Sequence, residues 1–110
     1  MPEQFQKSID QIVKVLLEKY QPEQVILYGS LAKETAHEDS DIDLLIVKET
    51  SDSPLERRVF VRRLVSNPAR RVPFSPLVIT PDELASRLEM GDPFYQEIMQ
   101  TGKVLYARAG

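Results

Sequence analysis

At 110 residues the chain is long enough for one domain with a single core, and 42% apolar with 28% charged residues is the balance of an ordinary globular protein. A net charge of −3 argues against nucleic-acid binding by bulk charge, and the absence of cysteine removes disulfides and thiolate metal sites. No apolar run approaches the ~20 residues of a membrane span, and the polar start MPEQFQKSID lacks the apolar segment of a secretion signal, so a cytoplasmic protein is expected.

Phe5, Ile9, Ile12, Val13, Leu16, Leu17 and Tyr20 recur at three- and four-residue steps. The spacing predicts an amphipathic helix over residues 3–20 that covers a sheet face. A Tyr-Gln-Pro break follows, then a short buried strand at residues 25–28 and a Gly29-Ser30 turn. Ser30 is a suitable cap for a short helix at residues 31–33. Residues 37–40 read as a polar loop, in which His37 is a surface residue before it is a general base. Asp41-Ile42-Asp43 then leads into a second apolar strand at residues 44–47.

Ser53-Pro54-Leu55-Glu56 has the form of a helix start: a capping Ser, Pro at the first position and Glu at the third. Leu55, Val59, Leu64 and Val65 are the expected apolar side, and Asn67-Pro68 ends the helix. Residues 72–80 form a third strand interrupted by Pro73 and Pro76, so it should lie at a sheet edge or carry a bulge. Thr80-Pro81-Asp82-Glu83 repeats the capping pattern, with Leu84 and Leu88 buried and Gly91 at the end. Asp92-Pro93 opens another helix with Phe94, Ile98 and Met99 apolar, Gly102 ends it, and residues 104–106 form a last strand. The order α-β-α-β-α-β-α-α-β predicts one α/β (α+β) domain over residues 1–110, a small mixed sheet of about four strands packed with helices.

Charge is uneven. Glu34, Glu38, Asp39, Asp41 and Asp43 crowd ten residues, while Arg57, Arg58, Arg62, Arg63, Arg70 and Arg71 face a single Glu56. The arginines fit a solvated helix face or a surface for nucleotide phosphates, RNA or an acidic partner, and the pattern does not choose.

The stretch VILYGSLAKETAHEDSDIDLLIV carries the chemistry. A strand repeats every two residues, so Asp41 and Asp43 share one side of the sheet. Two carboxylates at the mouth of a buried strand repel each other and resist desolvation unless a cation or solvent neutralises them. Hard oxygen ligands suit Mg²⁺, which commonly bridges to phosphates. Gly29-Ser30, between a strand and a helix start, offers N–H groups and a hydroxyl to an anion. Together these are the parts of a phosphoryl or nucleotidyl transfer site.

Gly29-Ser30, ten intervening residues and then Asp41-Ile42-Asp43 resemble the signature of the DNA polymerase β-like nucleotidyltransferase superfamily, and most of all the small minimal nucleotidyltransferases. The likeness extends through Val78 to Leu84 and through Gly102 to Tyr106. It implies the nucleotidyltransferase fold. It also implies a two-metal Mg²⁺ site with Asp41 and Asp43 as catalytic metal ligands, Gly29, Ser30 and Lys33 as phosphate contacts, and an NTP substrate, ATP foremost. By the same resemblance a third acid belongs where this chain has Ser75, a glycine where it has Glu34, and an arginine where it has Leu31. A serine hydroxyl is a weak Mg²⁺ ligand beside a carboxylate, so either transfer is weakened or Asp39, Glu38 or Glu34 substitutes.

Two functions are expected. One is an enzyme that transfers a nucleoside monophosphate to a hydroxyl acceptor; the resemblance implies that it does so as the antitoxin partner of a HEPN-type toxin. The other is a degenerate relative that neutralises a partner by contact, through the sheet edge near Pro73 and Pro76 or through the arginine helix. A homo-oligomer is compatible with the apolar edge residues, and the simplest alternative has Asp41 and Asp43 only capping a strand in water.

Overall fold

A computed structural model describes residues 3–33, 40–66 and 72–109. Its elements are α1 (Glu3–Lys19), β1 (Gln24–Tyr28), β2 (Ile42–Val47), α2 (Pro54–Leu64), β3 (Phe74–Ile79), α3 (Pro81–Glu89), α4 (Pro93–Thr101) and β4 (Lys103–Ala107). The four strands form one mixed sheet in the order β3-β2-β1-β4. β1 runs antiparallel to β2 and β4, and β3 runs parallel to β2. The segment after β1 begins with one turn, closed by Lys33 N–H donating to the Gly29 carbonyl at 3.2 Å. Glu34, His37, Glu38 and Asp39 lie outside the described residues, as do Asn67, Pro68, Arg70 and Arg71.

The sheet is covered on both faces. On one, Phe5, Ile9, Ile12 and Leu16 of α1 and Val61 and Val65 beside them pack on Val25, Leu27, Ile42, Leu44, Ile46 and Val78. Each large apolar side chain so buried contributes about 1.5–3 kcal/mol. On the other, Leu84 of α3 and Ile98 of α4 pack on Ile26, Leu45, Val47 and Ile79. β2 is central and buried along its length except at Asp43, which is half-buried.

The helix starts are those the capping residues predict. Ser53 and Thr80 each complete a capping box with the Glu three residues on, Glu56 and Glu83. Asp92 accepts from Phe94 N–H.

α2 departs from the expected apolar side. Leu55 is 68% exposed and Val59 is exposed, while the buried residues are Arg57, Val61 and Val65. Arg57 can occupy the inner face because every part of its guanidinium finds an acceptor. Nε donates to the Asp52 carbonyl at 2.7 Å, and Nη1 and Nη2 donate to the two Glu83 carboxylate oxygens at 2.7 and 3.3 Å. Arg57 is therefore not part of a solvated arginine face, whereas Arg58, Arg62 and Arg63 are exposed.

β3 is an edge strand, as its prolines require. Ile42 N–H donates to the Pro73 carbonyl and Lys48 N–H to the Ile79 carbonyl, so the odd-numbered residues of β3 bond inward. Pro76 is even-numbered, and its missing N–H falls on the outer side of the sheet.

Among the described residues no helix is long and apolar enough to cross a membrane.

Candidate functional site

Tyr28 is the last residue of β1 and pairs with Asp43 of β2; Asp43 in turn pairs with Ser75 of β3. Partners in register share a sheet face, so Tyr28, Asp43 and Ser75 stand side by side on the face covered by α3 and α4. Past Tyr28 the chain turns at Gly29, whose φ of +76° suits glycine. A Cβ built on Gly29 would lie 2.5 Å from Asp43 Oδ2, so the carboxylate rests against the backbone of the turn and nothing larger than hydrogen fits between them.

The two halves of the motif are also tied directly. Ser30 Oγ donates to Ser40 Oγ at 3.1 Å, and Ser40 is buried just before Asp41. That hydroxyl contact ties the residue before Asp41 to the turn.

Burial raises the Asp43 carboxyl above the ordinary carboxylate range, and the neighbouring Asp41 charge raises it further. Asp41 itself is exposed. Two hard oxygen donors in a locally negative site are a donor set that suits Mg²⁺, which would relieve their repulsion. Ser75 supplies a neutral hydroxyl in the strand position beside Asp43, so among the described residues no group of three or more His, Asp or Glu is brought together. Asp41 and Asp43 are the residues that would hold such a cation, and Asp43 lies against the Gly29 turn.

Lys33 stands at the end of the turn, and its Nζ pairs with Glu97 Oε1 of α4 at 2.6 Å. Both side chains are about half exposed, so the pair contributes less than about 1 kcal/mol and exchanges readily for another anion. No local pattern points to Glu97, which is 64 positions away. Ser40 was visible only as part of the motif; its spacing from Ser30, ten residues on a chain that must return to the adjacent strand, was the available signal. Tyr28 stands beside the acids, and its hydroxyl is pushed up to about 12 by burial, then by Asp43 and Tyr95. Aromatic residues from α4 approach it: Phe94 meets Tyr28 edge-on with ring centroids 5.9 Å apart, and Tyr95 meets Phe94 at 5.1 Å.

Comparison with known proteins bears on the fold and the family. A chain in the crystal structure of a toxin-antitoxin with AMP-PNP superposes with a TM-score of 0.64 at 20% identity, over 90% of this chain and 73% of that one. No curated protein sequence matches the chain. The family model described as polymerase beta, nucleotidyltransferase matches residues 10–109, which takes in the Gly-Ser turn, both aspartates and all four strands. The chain belongs to the polymerase β nucleotidyltransferase family.

Proposed function

We propose that this domain binds a nucleoside triphosphate, ATP foremost, together with Mg²⁺, and transfers the nucleoside monophosphate to a hydroxyl acceptor. The observation that carries the proposal is the contact between the Asp43 carboxylate and the Gly29 turn, which joins a metal-type ligand to a phosphate-type turn. Asp41 and Asp43 would hold the ion, whose chemistry is to neutralise the triphosphate and lower the pKa of the attacking hydroxyl. Gly29 and Ser30 lie at the phosphates, and Lys33 exchanges Glu97 for a phosphate oxygen. In the transfer the acceptor oxygen bonds to the α-phosphorus, the bond to the β-phosphate oxygen breaks, and pyrophosphate leaves with the electron pair. The hydroxyl proton passes to solvent or a carboxylate.

The partner proposed is a HEPN-type toxin, with this chain as antitoxin in the cytoplasm. The family resemblance supports that reading, as does the likeness to a structure that is itself a toxin-antitoxin with a nucleotide analogue.

Ser75 favours a second reading. Its hydroxyl stands where the family resemblance expects the third acid, directly beside Asp43. A site short of one carboxylate binds nucleotide but transfers slowly, and the protein then acts by contact. The exposed side of α2, with Leu55, Val59 and Phe60 among Arg58, Arg62 and Arg63, is the contact surface of that reading.

Incubation of the chain and the product of its neighbouring gene with ATP labelled on the α-phosphate separates the two. Label on the partner supports transfer. Thermal protection by ATP and Mg²⁺ without label supports the binder, and protection that survives Asp41→Asn with Asp43→Asn removes both readings.

A further inference from the structure

We infer that Phe94 is a stacking shelf for the base of a purine nucleotide whose phosphates lie at the Gly29 turn. The inference rests on the nucleotide reading above and adds a base subsite to it. Among the described residues two phenylalanines are exposed, and they lie on opposite faces of the sheet. Phe60, on α2, packs against Tyr20 on the side away from the carboxylates. Phe94, on α4, is 46% exposed on the same side as Asp43. Its ring is held by two tyrosines rather than left loose: it meets Tyr28 at 88° and Tyr95 at 84°. Tyr28 is also the register partner of Asp43, so the shelf and the metal carboxylate are joined through one residue.

A second tie fixes the same geometry. One helical turn after Phe94, Glu97 pairs with Lys33 at the end of the Gly29 turn. α4 is thus anchored to the phosphate turn beside the point where Phe94 presents its ring. A half-exposed aromatic ring fixed at the rim of a polar site suits a flat apolar surface with polar edges, which describes a nucleobase. Purines have the larger π-face and stack more strongly, so ATP and GTP are the expected class and CTP and UTP bind more weakly.

The test measures affinities of the full chain with Mg²⁺ for ATP, CTP and inorganic tripolyphosphate, in wild type, Phe94→Leu and Phe94→Tyr. Phe94→Leu keeps apolar bulk against Tyr28 and removes the π-face; its melting temperature controls for folding. The expected result is that wild type binds ATP more tightly than tripolyphosphate. Phe94→Leu should lose about tenfold or more in ATP affinity with tripolyphosphate unchanged, and Phe94→Tyr should retain ATP binding. Tripolyphosphate bound as tightly as ATP by wild type overturns the shelf and leaves the phosphate site standing. Phe94→Leu weakening both ligands equally, or neither, also overturns it. Wild type that binds neither ligand overturns the phosphate-site reading as well.

Discussion

Arg57 and Glu83, 26 residues apart, form a two-point ion pair that bolts α2 to the first turn of α3. Glu83 Oε1 also accepts the Thr80 N–H at 2.9 Å, so one carboxylate closes a helix cap and neutralises a buried guanidinium. Glu83→Ala should cost about 2 kcal/mol, since it strands Arg57 and removes half a capping box; the half-exposed carboxylate is partly screened, which keeps the loss below that of a fully buried pair. Urea unfolding of the two proteins measures it. The Arg57 hydrogen bond, with help from Thr80, holds the Glu83 carboxyl below its ordinary value of 4.5. A depressed folded-state pKa gives stability that is present above 4.5 and lost as pH falls through the folded value. The wild type should therefore lose stability in acid more steeply than Glu83→Gln.

The contact between Gly29 and Asp43 makes a sharper prediction. Gly29→Ala meets two penalties, a positive φ worth about 1–2 kcal/mol and a Cβ in the space of Asp43 Oδ2. Adding Asp43→Ala should recover the second penalty and not the first, so the double variant should be more stable than the sum of the singles. A purely additive cycle would show that the carboxylate does not rest on the turn.

Asp43 is a site where stability and the proposed chemistry pull apart. Burial and Asp41 raise its carboxyl above the ordinary 3.8. A raised acid favours the folded state below 3.8 and disfavours it as pH climbs through the raised value. In chelator at neutral pH, Asp43→Asn should melt above wild type, and the advantage should shrink to nothing as pH approaches 3.8. The same variant should no longer be protected by Mg²⁺ and ATP.

Ser75→Asp restores a carboxylate in register with Asp43. Without metal it should lower the melting temperature by adding a third like charge. With Mg²⁺ at about 100 times its Kd it should gain about 2.7 kcal/mol. Destabilisation that Mg²⁺ does not relieve would show that position 75 is turned from the acids.

Much of this was legible in the chain because the signals are local. Capping residues at Ser53, Thr80 and Asp92 mark three helix starts, and strand alternation puts Asp43 on the face opposite Ile42 and Leu44. What failed to show depends on residues far apart in sequence. Leu55 and Val59 look like a core stripe, yet α2 turns Arg57 inward because Glu83 is there to receive it. Lys33 looks like a phosphate ligand, and its resting partner Glu97 comes from a helix whose approach no spacing rule foretells.

Pro76 has a consequence for how the chain meets others of its kind. An open sheet border with a full row of N–H donors invites a neighbour's strand to add on, the first step towards fibres. Here the proline removes a donor from the outward row at the cost of nothing in the ladder to β2. A partner that docks by lending a strand would find this border poorly receptive, and copies of the chain are hindered from zipping together along it.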